Sequence, residues 1–166
     1  MPIAVDIIPT NDYIIFCDFL DDCWVPVKVL HKDGGDTYAS QVVTEVDQKA
    51  QDAILRILKP TCCEFDLALL TEESEDDRSR FEKNYFWCID PLDGTYNFSR
   101  RYPFYAISIS LWKEGAPFFG IVRDLANKKS YVSQKGQKTS LNGKVIRVSD
   151  VKSINQATIN TGFPSG

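Results

Sequence analysis

The sequence predicts an α+β fold in which two N-terminal helices pack on a mostly antiparallel sheet. Apolar residues recur at helical spacing twice before residue 60. Short runs then alternate at strand spacing from residue 65 onward, with turn residues close enough between them for hairpins. Helices first and strands after point to a layered α+β arrangement rather than repeated βαβ units. At 166 residues, with 43% hydrophobic and 25% charged content, the chain is long enough for one domain with a core.

The elements follow in order. Residues 1–9 show no period and read as an extended lead-in. From Thr10 or Asn11, either a good cap, Ile15, Phe16, Phe19, Leu20, Cys23, Trp24 and Val27 fall at helical spacing, and Pro26 kinks or ends that helix. Residues 31–37, with Gly34-Gly35, read as a flexible loop, and His31 as a solvent-facing residue of it. Thr44 caps a second helix whose apolar face is Ala50, Ala53, Ile54, Ile57 and Leu58, and Pro60 ends it. Asp47 lies in its first turn, where an anion suits the positive end of the helix dipole.

Residues 65–70 form a short apolar strand, followed by Thr71-Glu72-Glu73-Ser74. The acids Glu75, Asp76 and Asp77, with Arg78 and Arg80 after them, read as a solvated loop. Residues 85–89 are a buried strand that Pro91 stops. Residues 104–112 alternate as a strand, 114–117 turn it back into 118–122, and Asn127 opens a turn before 130–133. Leu141-Asn142-Gly143-Lys144-Val145 is a hairpin, since Asn-Gly suits a type I′ turn. Residues 156–161 begin one more strand. Residues 1–155 thus read as one domain and 156–166 as the start of another.

Charge and cysteine content exclude some functions. A net charge of −4 argues against nucleic acid as a partner. No apolar run reaches membrane-spanning length, and no basic stretch followed by an apolar one opens the chain, so the expectation is a cytoplasmic protein without a membrane partner. Cys17, Cys23, Cys62, Cys63 and Cys88 lack zinc-type spacing and are odd in number, which reads as reduced thiols. Cys88 reads as core packing rather than a nucleophile.

The chemistry concentrates in Asp90-Pro91-Leu92-Asp93-Gly94-Thr95-Tyr96-Asn97-Phe98. Asp90 stands at a strand end, where a carboxylate can face a cleft, and Asp93 follows three residues on. Two carboxylates so close repel unless something positive lies between them, and Mg²⁺ takes oxygen ligands while keeping room for water and phosphate. Gly94 lets the backbone approach a ligand, and N–H groups at a helix start form an anion site. The same carboxylates also suit an ordinary Asp-Pro turn with an Asp cap.

The whole string, with Pro103 shortly after it, resembles the first signature of the inositol monophosphatase family. These are Mg²⁺-dependent phosphatases, many inhibited by Li⁺, which include bisphosphate nucleotidases and a class of fructose-1,6-bisphosphatases. Val43-Thr44-Glu45-Val46-Asp47 is similar to the family's second element, and Thr71-Glu72-Glu73-Ser74 to its Gly-Glu-Glu-Ser, with Thr in place of Gly. The resemblance implies the N-terminal portion of a layered αβαβα sugar-phosphatase fold. It implies a first metal held by Glu72, Asp90 and the Leu92 carbonyl, and a second by Asp90, Asp93 and a further Asp. Glu73 would act through water or a weaker, further ion.

Gly94 and Thr95 N–H groups would hold the phosphate, and Asp47 paired with the Thr95 hydroxyl would help activate the attacking water. The family's loop corresponding to 31–37 reaches toward the site, which brings in Lys32 and Asp36 without a role for either. The further Asp belongs to a second signature, Trp-Asp-x-Ala-Ala-Gly. Here the three tryptophans are followed by Val25, Cys88 and Lys113, so that element is absent from residues 1–166. The implied function is a phosphomonoesterase for a small sugar or inositol phosphate, commonly homodimeric. The alternatives are a bisphosphatase or bisphosphate nucleotidase of the same family, or a non-catalytic fragment that keeps the metal site. An acidic protein should repel phosphate, and bound cations would reverse that sign locally.

Overall fold

The structure, a computed structural model, describes residues 29–31 and 42–161. The helix expected over 10–27, with Lys32 and Asp36, lies outside those residues. Strands β1 (Val29–His31) and β2 (Val42–Thr44) pair antiparallel as a ribbon. His31 therefore closes a strand instead of opening a loop; its backbone is paired opposite Val42.

Helix α1 (Glu45–Glu64) starts directly after β2. Its buried residues Asp47, Ala50, Gln51, Ile54, Leu58 and Thr61 are three or four apart or adjacent, so they share one face. Pro60 does not end this helix, which runs on through Glu64. The proline forfeits one helical hydrogen bond, but side chains and the following turn hold the last stretch in place. Thr61 Oγ1 donates to the Leu58 carbonyl at 2.6 Å and accepts from Trp87 Nε1 at 3.0 Å. The N–H groups of Phe65 and Leu67 close onto the carbonyls of Thr61 and Cys62.

A seven-stranded sheet follows, in the order β3-β4-β5-β6-β7-β8-β9. Its strands are β3 (Ala68–Thr71), β4 (Tyr85–Asp93), β5 (Ala106–Lys113), β6 (Ala116–Asp124), β7 (Lys129–Gln134), β8 (Ser140–Leu141) and β9 (Lys144–Val145). Only β3 and β4 are parallel; every other pair is antiparallel. Hairpins explain most of this pattern, since each strand after β5 returns beside its predecessor through a short connection, while residues 94–105 bring β5 back beside β4. At two of them the first two turn residues both have positive φ, Glu114 and Gly115 at 48° and 76°, Asn142 and Gly143 at 48° and 76°. That is the type I′ geometry that matches strand twist.

Ala50, Ile54 and Leu58 of α1 pack on Trp87 and Ile89 of β4 and on Ile107, Ile109 and Leu111 of β5. Trp87 and Leu111 are opposite each other in register, as are Ile89 and Ile109, so period-two alternation presents them on one face. Burying each such side chain contributes roughly 1.5–3 kcal/mol. The other face carries Phe86 stacked on Trp112 at 5.6 Å between centroids.

Two expectations change here. Pro91 does not stop β4, which continues to Asp93. The register instead breaks between Asp90, opposite Ser108, and Asp93, opposite Ala106. A residue without an N–H is accommodated at such a bulge. Residues 156–161 form no strand; a 3-10 turn at Ile154–Gln156 leads into irregular, exposed chain. Alternation alone does not make a strand where no neighbouring edge pairs with it.

Candidate functional site

Asp90 lies on the strand face opposite Trp87 and Ile89, half-buried just before the bulge. Its Oδ1 accepts from the Leu92 N–H at 3.0 Å, which folds the bulge back on the carboxylate. Glu72 arrives from the next strand: β3 runs parallel to β4, and the Glu72 N–H donates to the Ile89 carbonyl at 3.1 Å. The two carboxyl groups hydrogen-bond to each other. Burial, and then the charge of Glu72, push Asp90 up to about 8, with Asp93 adding further repulsion. Asp90 therefore shares a proton with its neighbour at neutral pH.

Asp93 is exposed and stands within electrostatic reach of Asp90. The structure thus gathers Glu72 and Asp90 closely and sets Asp93 beside them. Among the described residues no three His, Cys, Asp or Glu side chains are drawn into one metal-holding group. The chemistry of the donors fits a hard divalent cation, since Glu72, Asp90, Asp93 and the Leu92 carbonyl offer oxygen alone. Glu73 follows in the same turn and is half-buried.

Beyond the bulge, Gly94 takes φ 88° and starts the short helix α2 (Thr95–Ser99). A Cβ here would also meet the Phe104 carbonyl oxygen at 2.8 Å, so both conformation and space demand glycine. Asn97 Nδ2 donates to that same carbonyl at 2.9 Å, and Phe98 meets Tyr105 edge-on at 5.1 Å. Asn97 and Phe98 therefore hold the returning chain against α2.

Thr95 and Asp47 meet across 48 positions of sequence: Thr95 Oγ1 donates to Asp47 Oδ1 at 2.7 Å. The Leu92 carbonyl lies 2.9 Å from the same hydroxyl. Asp47 is only 1% exposed, so its carboxyl group is held where a hydrogen bond matters most. β2, which delivers α1 to this point, lies beside α2.

A cavity of about 300 Å³ opens beside Asp93 and Gly94, lined also by Asn97, Phe104, Tyr105, Ala106, Val122 and Asp124. No basic side chain is among them. Asp124 caps its own turn, accepting from the Asn127 N–H at 2.9 Å.

Two residues escaped the sequence reading as supports. Gln51 was visible in principle, because it follows Asp47 by four residues and so shares its helix face. The Asn97 contact to Phe104 depends on the loop's return and had no local signal. The acids Asp76 and Asp77 are more than solvated charge: Asp76 accepts from the Arg78 N–H and Arg80 Nε, and Asp77 from the Ser79 N–H. Burial pushes the Cys88 thiol up, as suits a packing residue.

The sequence profile of the inositol monophosphatase family matches residues 24–166. An inositol-1-monophosphatase of Synechocystis sp. is 34% identical over 140 residues, which are 84% of this chain and 47% of that protein. A Nus factor SuhB of Pseudomonas aeruginosa is 36% identical over 130 residues, 76% of this chain and 46% of that one. The crystal structure of an IMPase/NADP phosphatase complexed with NADP and Ca²⁺ at pH 7.0 superposes with a TM-score of 0.70 at 26% identity, over 89% of this chain and 52% of that one. Another IMPase/NADP phosphatase structure, complexed with Mg²⁺ and phosphate, matches at 0.62 and 27%, over 80% and 46%. The chain spans about half the length of these relatives. With the fold, the profile and the paired carboxylates all in agreement, this chain belongs to the inositol monophosphatase family.

Proposed function

We propose that this chain is the cation- and phosphate-binding portion of a Mg²⁺-dependent phosphomonoesterase. The observation that carries the reading is the 2.7 Å hydrogen bond from Thr95 to buried Asp47 beside the Glu72–Asp90 pair. In this reading Glu72, Asp90 and the Leu92 carbonyl hold one cation, Asp90 and Asp93 contribute to a second, and Glu73 serves through water. A cation bound there neutralises phosphate charge and makes water more acidic. Thr95 donates its hydrogen bond to Asp47, so a lone pair of Oγ1 is left to take a proton from the attacking water as Thr95's own proton passes to Asp47. Asp47, buried on that hydrogen bond, is where the proton ends. Gly94 and Thr95 N–H groups orient the phosphate.

The cavity beside Asp93 favours a substrate with one phosphate on a neutral alcohol over the bisphosphates. Among the described residues a second phosphate there would find Asp93 and Asp124 and no basic side chain. A Trp-Asp-x-Ala-Ala-Gly element, which residues 1–166 do not contain, would complete the second cation in this reading. Residues 1–155 form the binding unit in this proposal, 156–166 lead into the next, and a homodimer is its assembled state. Among the described residues no helix is long and apolar enough to cross a membrane.

The test is a Mn²⁺ titration followed by electron paramagnetic resonance, with Asp90→Asn alongside and inorganic phosphate added second. Cation binding that weakens at least tenfold in Asp90→Asn, and phosphate binding that needs the cation, are expected. A chain that binds no divalent cation overturns the reading. Activity of the chain alone toward a monophosphate should be very low. Turnover of about 1–10³ per second would mean the remaining donors are dispensable.

A further inference from the structure

We propose that Asn97 is a positioning residue of the phosphate-binding turn, whose side-chain amide clamps the Phe104 carbonyl onto Gly94. The inference rests on the reading above, in which the Gly94 and Thr95 N–H groups orient the phosphate. Residues 94–105 leave the sheet after Asp93 and return at Ala106, and those two residues pair across it. Asn97 closes this excursion with its backbone and its side chain. Its carbonyl accepts from the N–H groups of Arg100 at 3.2 Å and Tyr102 at 2.8 Å. Its Nδ2 donates to the Phe104 carbonyl at 2.9 Å. A carbonyl oxygen only accepts, so the amide nitrogen rather than the amide oxygen has to face it.

The clamped carbonyl lies against Gly94. A Cβ there would stand 2.8 Å from that oxygen and 3.2 Å from the Tyr105 Cα. The returning backbone therefore rests on the residue whose N–H the phosphate would take. Helix α2 is five residues long, too short to hold its own shape without tertiary contacts. Thr95 tethers it to Asp47 of α1, and Asn97 tethers it to the returning chain. The first tether sets where Thr95 stands, and the second sets how Gly94 is seated beside it. Without the amide, the Phe104 carbonyl loses this donor and the backbone on Gly94 is free to shift. Glu72 and Asp90 both lie outside residues 94–105, so the clamp acts on the phosphate and not on the first cation.

The test compares two variants of α2. Asn97→Ala withdraws the clamp, while Ser99→Ala removes a different side-chain hydrogen bond of the same helix, to the Tyr96 carbonyl at 2.8 Å. Mn²⁺ binding is followed by electron paramagnetic resonance, and inorganic phosphate is then titrated calorimetrically into the Mn²⁺-loaded chain. Phosphate affinity should fall about tenfold in Asn97→Ala, the scale of one misaimed hydrogen bond to a charged ligand. Its Mn²⁺ affinity should stay that of the parent, and Ser99→Ala should keep both. A parent chain that binds no phosphate overturns the phosphate reading itself. Parent-like phosphate binding by Asn97→Ala, with the parent binding well, overturns this inference alone. Equal weakening of Mn²⁺ and phosphate, or equal weakening in the two variants, assigns the amide a structural role and overturns it too. Should Asn97→Ala fail to fold, Asn97→His decides, since its Nδ1–H can reach the same carbonyl. Phosphate binding about tenfold weaker than the parent's in that variant overturns the inference.

Discussion

At the corner where β4 runs into α2, Asp47 is 1% exposed and takes a hydrogen bond from a residue 48 positions away. From residue 144 to 161 the opposite holds: Val148, Ile154 and Ile159 are 93%, 75% and 71% exposed. The corner gathers polar groups and finds partners for them within the described chain. The tail carries apolar side chains and leaves them in water. A polar corner this closed owes its shape to contacts made inside the described residues. An apolar stretch this open owes little to contacts within the described residues.

The largest effect should come from the backbone at the corner. Gly94→Ala forces a side chain into φ 88° and against the Phe104 carbonyl at 2.8 Å. Gly136→Ala meets a similar φ, 82°, with nothing within 4 Å. The left-handed conformation costs roughly 1–2 kcal/mol for a residue with a Cβ. Gly136→Ala should lose about that much, and Gly94→Ala about 3 kcal/mol or more, because backbone must also shift. Urea unfolding of both variants checks it. Equal losses would mean that the corner is no tighter than an open turn.

Next comes the long-range hydrogen bond. Thr95→Val keeps the shape and withdraws the hydroxyl from buried Asp47, which should cost about 1–3 kcal/mol. Thr95→Ser should recover most of it. The same unfolding measurement decides, and a loss shared equally by both variants would assign the effect to the methyl group instead.

These two cases also separate what was legible in the sequence from what was not. The Asn142-Gly143 turn was plain, because its chemistry is local and both residues accept positive φ. The Glu114-Gly115 turn has the same geometry, but glutamate advertises it poorly, and the reading spread the turn over 114–117. Pro60 and Pro91 read as stops because proline opposes local regularity. Thr61 and Trp87 hold the helix past the first, and a bulge absorbs the second. Asp47 and Thr95 were linked by resemblance alone, since nothing local joins residues 48 apart.

Acid and cation should compete at the corner. Asp90 is raised from 3.8 to about 8, first by burial and then by Glu72. Between those values the folded chain keeps a proton that the unfolded chain has released. The stability contributed by this group is therefore full below 3.8 and lost as pH rises through about 8. In EDTA the melting temperature should fall through this group as pH rises from 3.8 to about 8. Saturating Mg²⁺ should reduce the fall, since the cation replaces the shared proton. Asp90→Asn should flatten the EDTA profile. A parent profile as flat as that of Asp90→Asn would mean the two carboxyl groups do not share a proton.

The smallest effect on stability should lie in the tail, and it sharpens the comparison most directly. Side chains that touch little in the folded chain lose little when replaced, so Val148→Ser and Ile159→Ser should each stay within about 0.5 kcal/mol of the parent. Their consequence belongs to association. Apolar side chains left in water favour contact with other apolar surface. Replacing both should therefore reduce self-association in sedimentation at matched concentration, while the urea midpoint barely moves. Gly94→Ala should show the reverse, a lowered midpoint before any change attributable to the tail. A loss of more than about 1 kcal/mol in either tail variant would mean that these side chains pack within the chain in solution. The tail would then be held as the corner is, and the contrast between the two would disappear.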